Sequence, residues 1–190
     1  MAQTIRKVGI IGAGQMGNGI AHVCALAGIP VVINDIAAPR LKEALATING
    51  NMSRQVSRQR ITEDDKQAAL KRISTAENID ALGDCDLVIE AATEKEEVKR
   101  KIFIDLCPVL KPETIVASNT SSISITRLAA ATDRPEKFIG IHFMNPVPLM
   151  ELVELIRGIA TADAEIDETQ CALVGILLQL CIRQSTTRVD

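Results

Sequence analysis

The glycine loop Gly12-Ala13-Gly14-Gln15-Met16-Gly17 constrains this chain more than any other feature. It follows an apolar run over residues 5–11, and residues 15–27 read as a helix closed by Gly28. Val31-Val32-Ile33-Asn34-Asp35 then reads as a second buried strand, ending in a carboxylate. Strand, glycine turn, helix and strand within about 30 residues form a β-α-β unit, whose strands run parallel.

A glycine fingerprint alone is weak evidence, because an α/β turn that binds nothing can carry it. Here strand, helix and acid stand in the register that dinucleotide binding needs. Gly12 permits the tight turn, Gly14 lets backbone approach a pyrophosphate, and Gly17 lets helix and strand pack closely. Ala13, Gln15 and Met16 complete the loop at a helix N-terminus, whose free N–H groups face the phosphates. Asp35 is expected to hydrogen-bond the adenosine ribose and to repel a 2′-phosphate, which favours NAD over NADP. FAD stays open on this motif alone.

The rest of the chain continues the alternation. Pro39 suits a helix N-terminus, and residues 40–59 read as a charged amphipathic helix. A second helix begins near Thr62, which can cap it ahead of Glu63-Asp64-Asp65, and runs to about Arg72. Two long helices exceed what a crossover requires, so residues 38–72 are expected to form a helical-hairpin insertion projecting from the sheet. Strands are predicted over 86–91, 114–117, 138–143 and 152–156, and helices over 95–110, 125–131 and 163–181. The expected fold class is α/β, a Rossmann-type, doubly wound and mostly parallel sheet over residues 1–182, with 183–190 as a divergent tail.

Composition excludes several function classes. Aromatic residues are 2% of the chain, so few rings are there to stack on bases, and a net charge of −3 gives no basic surplus for a phosphate polymer. Nucleic acid is therefore not an expected partner. Cys24, Cys85, Cys107, Cys171 and Cys181 lack metal-ligand spacing and read as small buried hydrophobes in a reducing compartment, so no metal site is expected. No apolar run is long enough to span a membrane, and no signal peptide is read ahead of the first strand. The cytoplasm is the expected location.

The candidate chemistry lies at the end of the strand Phe138-Ile139-Gly140-Ile141-His142, because open α/β sheets bind ligands beyond the carboxyl ends of their strands. A histidine there can take the proton of an alcohol as hydride leaves its carbon. Glu154 follows on the next strand, beyond Pro146 and Pro148, and a return across the sheet would bring it to the imidazole. A carboxylate there would fix the tautomer and stabilise the imidazolium. A lone histidine is more often structural, and His22, on the cofactor-loop helix, is read that way. Ser118-Asn119-Thr120-Ser121-Ser122 is a polar loop after another strand, able to hold a carbonyl oxygen and the nicotinamide amide, or simply a capped turn.

With these residues the chain resembles the L-3-hydroxyacyl-CoA dehydrogenase family, and most of all its bacterial 3-hydroxybutyryl-CoA branch. The matching segments are IIGAGQMGNGIA, the strand ending Asn34-Asp35, VIEAATEKEEVK, ASNTSS and GIHFMNPVPLMELVEL, spread from Lys7 to Ile159. The resemblance implies NAD-dependent interconversion of 3-hydroxyacyl-CoA and 3-ketoacyl-CoA, with an acyl-CoA substrate and a homo-oligomeric enzyme. It implies His142 as general acid/base, Glu154 as its partner, and Ser121 as a contact of the substrate oxygen and the nicotinamide. It places Glu94, Lys99 and Asn145 at NAD-contacting positions, and Asn51 and Arg58 near the positions that receive the CoA, with residue types that differ from the family's. The family continues into a helical C-terminal domain with an Asn-Arg motif, which residues 175–190 do not resemble. The sequence is therefore expected to lack that domain, and the alternative reading is an NAD-binding module with little turnover by itself. A different β-hydroxyacid dehydrogenase is a further reading, against which HFMNPVP and Glu154 count.

Overall fold

A computed structural model describes residues 5–164 together with Asp167 and Thr169. In chain order its elements are β1 (Val8–Ile11), α1 (Gln15–Leu26), β2 (Val31–Asn34), α2 (Ala38–Ser57), α3 (Glu63–Lys71), β3 (Ile73–Ala76), β4 (Leu87–Glu90), α4 (Glu96–Leu106), β5 (Ile115–Ser118), α5 (Ile125–Ala129), β6 (Phe138–Phe143) and β7 (Val153–Arg157). The strands form one sheet in the order β3-β2-β1-β4-β5-β6-β7. All neighbours are parallel except β6 and β7. This is the doubly wound arrangement expected from the sequence, with an antiparallel strand at one edge.

Every residue of β1, β2, β4 and β5 is buried, because helices cover both faces. Alternate side chains feed two cores. Ile10, Ile33, Ile89 and Ala117 pack with Ile20 and Val23 of α1 and with Leu41, Ile48 and Met52 of α2. Ile11, Val32, Val88 and Val116 pack on the other face with Phe103, Leu106 and Leu128. Phe103 and Phe138 meet edge to face there, with ring centroids 4.9 Å apart. Cys24, Cys85 and Cys107 are buried thiols; burial pushes Cys24 up to about 12 and Cys85 up to about 11. None offers a thiolate near neutral pH.

The polar residues in these apolar strands sit at their carboxyl ends: Asn34 closes β2, Glu90 closes β4 and Ser118 closes β5. They line the sheet edge at which a ligand is expected.

One strand was absent from the sequence reading. β3 pairs with β2 at the sheet edge, and its sequence Ile-Ser-Thr-Ala carries no apolar run to announce it. The helical pair α2 and α3 therefore lies within the β2-to-β3 crossover. It packs against α1 through Leu41, Ala44, Ile48 and Met52, with Ala69 of α3 buried beside them. The helix predicted over 163–181 falls largely outside the described residues, as do the tail 183–190, Cys171 and Cys181. Among the described residues no helix is long and apolar enough to cross a membrane.

Candidate active site

Antiparallel register sets the His142–Glu154 pair. β6 and β7 align so that His142 stands directly opposite Glu154. Side chains of such a pair share one face of the sheet at close range, and His142 Nδ1 lies 2.8 Å from Glu154 Oε2. The carboxylate accepts, so Nδ1 donates and the ring's lone pair is left on Nε2, an atom chemically able to take up or return a proton. The imidazole is partly exposed, its side chain 22% accessible, so Nε2 is within reach of a ligand.

The glycine loop fits a dinucleotide. Gly12 adopts φ +102°, and a Cβ on it would stand 2.6 Å from the Ala92 backbone. A Cβ on Gly17 would stand 1.8 Å from the Gly12 carbonyl oxygen, so the helix can close on the turn only with glycine there. Nothing lies within 4 Å of a Cβ built on Gly14, which leaves an open cradle over the backbone. No side chain caps α1, and its first turn holds no acid, so its orphan N–H groups await an external anion. Asp35 is buried beneath the loop, its carboxylate accepting from Ala13 N at 2.9 Å and from Ala37 N at 3.0 Å. Each oxygen keeps a lone pair for a ribose hydroxyl. Ile36, 92% exposed beside it, is an apolar surface fit for a base, which the sequence reading passed over. Gln15 Nε2 reaches Asn145 Oδ1 at 3.2 Å, which joins the loop to the segment after His142.

A polar network backs the serine loop. Glu94 Oε1 accepts from the Thr120 hydroxyl, from Ser121 N at 3.1 Å and from Ser122 Oγ at 3.3 Å. Partial burial raises the Glu94 carboxyl, but these bonds and the Lys99 charge outweigh it and hold the group below its ordinary range. Ser121 itself is exposed on the loop. Lys99 is fully buried: its Nζ lies 2.6 Å from Glu90 Oε2, 3.1 Å from Ser118 Oγ and 3.2 Å from the Asn119 carbonyl. The structure thus puts Lys99 behind the loop rather than at its surface. Glu90 is the partner that the sequence reading did not single out. Its signal was an acid closing an otherwise apolar strand.

Two clefts flank the loop. One, of about 630 Å³, is lined by Ala13, Gly14, Gln15, Arg40, Asn51 and Asn145, among others. The second, of about 360 Å³, is lined by His22, Asn51, Arg54, Gln55, Arg58 and Arg60, with Pro146, Pro148 and Leu149 across from them. Asn51, Pro146 and Pro148 belong to both, so cofactor loop and basic cleft adjoin. Of this lining, only Asn51 and Arg58 were expected to meet a ligand from the sequence. His22 has a structural bond, Nε2 to Gln55 Oε1 at 3.0 Å, and also walls the basic cleft.

The sequence model described as "3-hydroxyacyl-CoA dehydrogenase, NAD binding domain" matches residues 7–177. The chain belongs to this family. NAD is the cofactor that membership implies. The chain is 73% identical over 170 residues to a 3-hydroxybutyryl-CoA dehydrogenase from Bradyrhizobium diazoefficiens, covering 90% of this chain and 58% of the relative. A 3-hydroxyadipyl-CoA dehydrogenase from Escherichia coli is 44% identical over 173 residues, covering 91% of this chain and 36% of that one. Among solved structures, an (S)-3-hydroxybutyryl-CoA dehydrogenase from Ralstonia eutropha superposes with a TM-score of 0.86 at 47% identity, covering 93% of this chain and 61% of that one. The chain therefore spans about three fifths of the length of the Bradyrhizobium and Ralstonia relatives.

Proposed function

We propose that the chain interconverts 3-hydroxyacyl-CoA and 3-ketoacyl-CoA with NAD. The observation that carries the reading is the His142–Glu154 pair, 2.8 Å apart, in a sheet whose glycine loop is built for a dinucleotide. Bound NAD supplies the acceptor for the hydrogen that leaves the carbinol carbon. His142 Nε2 takes the hydroxyl proton in oxidation and returns it to the new alkoxide in reduction. Glu154 holds Nδ1–H, which fixes the tautomer and balances the imidazolium charge. Ser121 serves the substrate oxygen and the nicotinamide, Glu94 and Asn145 flank the cofactor, and Asp35 holds the ribose. Lys99 serves from behind, through the loop. The basic cleft with Asn51 and Arg58 takes the phosphates of the CoA, since Arg54 and Arg60 add charge there.

The experiment is reduction of acetoacetyl-CoA by NADH. His142→Ala is expected to lower turnover by about 10²–10⁴ with NADH binding intact, and Glu154→Gln to cost less. Near-normal turnover of His142→Ala would make the pair structural. The same reading includes a cytoplasmic homo-oligomer. Leu149 and Leu152, on the segment between β6 and β7, are 64% and 55% exposed, apolar side chains of the kind subunits cover. A monomer mass in light scattering at high concentration would count against the oligomer.

A further inference from the structure

The backbone pairing of β5 with β6 ends at Ser118 and Gly140, short of the segment that carries His142. Beyond that point β6 keeps its ladder only on the β7 side, where Ile141, His142 and Phe143 face Leu155, Glu154 and Val153. On the β5 side a side chain takes over. Asn119 Oδ1 accepts the Phe143 N–H at 3.0 Å, in a buried bond. Asn119 is itself fixed at two further points. Its N–H donates to the Glu90 carbonyl at 2.7 Å, and its carbonyl accepts from Lys99 Nζ at 3.2 Å. Lys99 in turn is locked to Glu90 by the buried ion pair, and Glu90 Oε1 accepts from Ala92 N at 2.8 Å.

We infer that Asn119 is a positioning residue for His142. It extends the β5 edge by one side chain and holds the strand end that aims the imidazole. The buried Lys99–Glu90 pair holds Asn119 in turn. This role rests on the dehydrogenase reading for its kinetic consequence, and on the hydrogen bonds alone for its geometric one. Glu154 constrains the imidazole from one side only. Without Asn119 the backbone at Phe143 is free to swing, and the dyad swings with it. An ion pair this deep is a costly device unless it fixes something, and what it touches is the residue that latches the histidine's strand.

The test uses both consequences. The chain has two histidines, so the imidazole NMR signals of His142 and His22 are separable. Asn119→Ala is expected to exchange-broaden the His142 Nδ1–H signal, and to lower kcat by about tenfold to a hundredfold while NADH affinity stays unchanged. Asn119→Asp keeps the acceptor and is expected to retain the signal and most of kcat. An unchanged Nδ1–H signal and full kcat in Asn119→Ala overturn the proposal. Loss of both in Asn119→Asp also overturns it, because the amide N–H groups would then be the operative part. If Asn119→Ala does not fold, hydrogen exchange at Phe143 in the unmodified chain decides: slow exchange supports the latch, and exchange at an unprotected rate overturns it. An unmodified chain without turnover would sink the dehydrogenase reading, and the NMR comparison would still decide this one.

Discussion

Asp35 does two jobs with one carboxylate. It accepts the Ala13 and Ala37 N–H groups, which shapes the glycine loop, and in the proposed function its remaining lone pairs hold the ribose. Asp35→Ala therefore removes charge-assisted bonds to the cofactor, each contributing about 1.5–3 kcal/mol, and loosens the loop as well. NADH affinity should fall by more than tenfold in a fluorescence titration, since about 1.4 kcal/mol already makes that factor. Asp35→Asn separates the jobs, because its one remaining oxygen can hold only one backbone group. The carboxylate should also disfavour NADPH by repulsion. Equal affinity of the unmodified chain for NADH and NADPH would end the assignment of NAD selectivity to Asp35.

At the scale of elements, the helices were more legible than the edges of the sheet. The helix α3 announced itself through Thr62 and the acids behind it, and the structure closes a capping box there. Thr62 Oγ1 accepts from Asp65 N, and Asp65 Oδ2 accepts from Thr62 N, both at 3.1 Å. Thr62→Ala should cost about 1 kcal/mol in urea unfolding with NADH affinity unchanged, and an unshifted midpoint would mean the box contributes nothing. The central strands were legible because burial on both faces demands unbroken apolar runs. β3 was not, because an edge strand with two exposed polar residues has no such demand on it. His142 and Glu154 were legible as a pair because two adjacent strands bracket a proline-stiffened turn, and only one register brings them together. Lys99 was placed at a cofactor position only through the family resemblance, and nothing local in the sequence reveals that Glu90, Ser118 and Asn119 enclose it. Long-range burial of a charge leaves no periodic trace in the sequence.

On one face of the sheet α1 packs between the strands and the helices α2 and α3, and His22 sits where α1 and α2 are tied. It is fully buried, bonds Gln55 through Nε2 and leaves Nδ1 without a partner among the described residues. Burial lowers its pKa from 6.5 to about 4, against a smaller upward pull from the Gln55 bond. The unfolded chain therefore binds a proton that the folded chain refuses between about pH 4 and 6.5. Stability contributed by neutral His22 is complete above the upper value, falls as pH drops through that window, and changes no further below it. The full span amounts to about 3 kcal/mol, at about 1.4 kcal/mol per unit. The residues beside it, Asn51, Arg54 and Arg58, wall the basic cleft, so acid should loosen this side of the molecule first. His22→Leu removes the titration and keeps the apolar bulk, at the expense of the Gln55 bond. In urea unfolding near pH 7 and near pH 5, the unmodified chain should lose more stability on acidification than His22→Leu does. Parallel losses in the two proteins would show that His22 is not protonated on unfolding, and would move the acid sensitivity to the carboxylates.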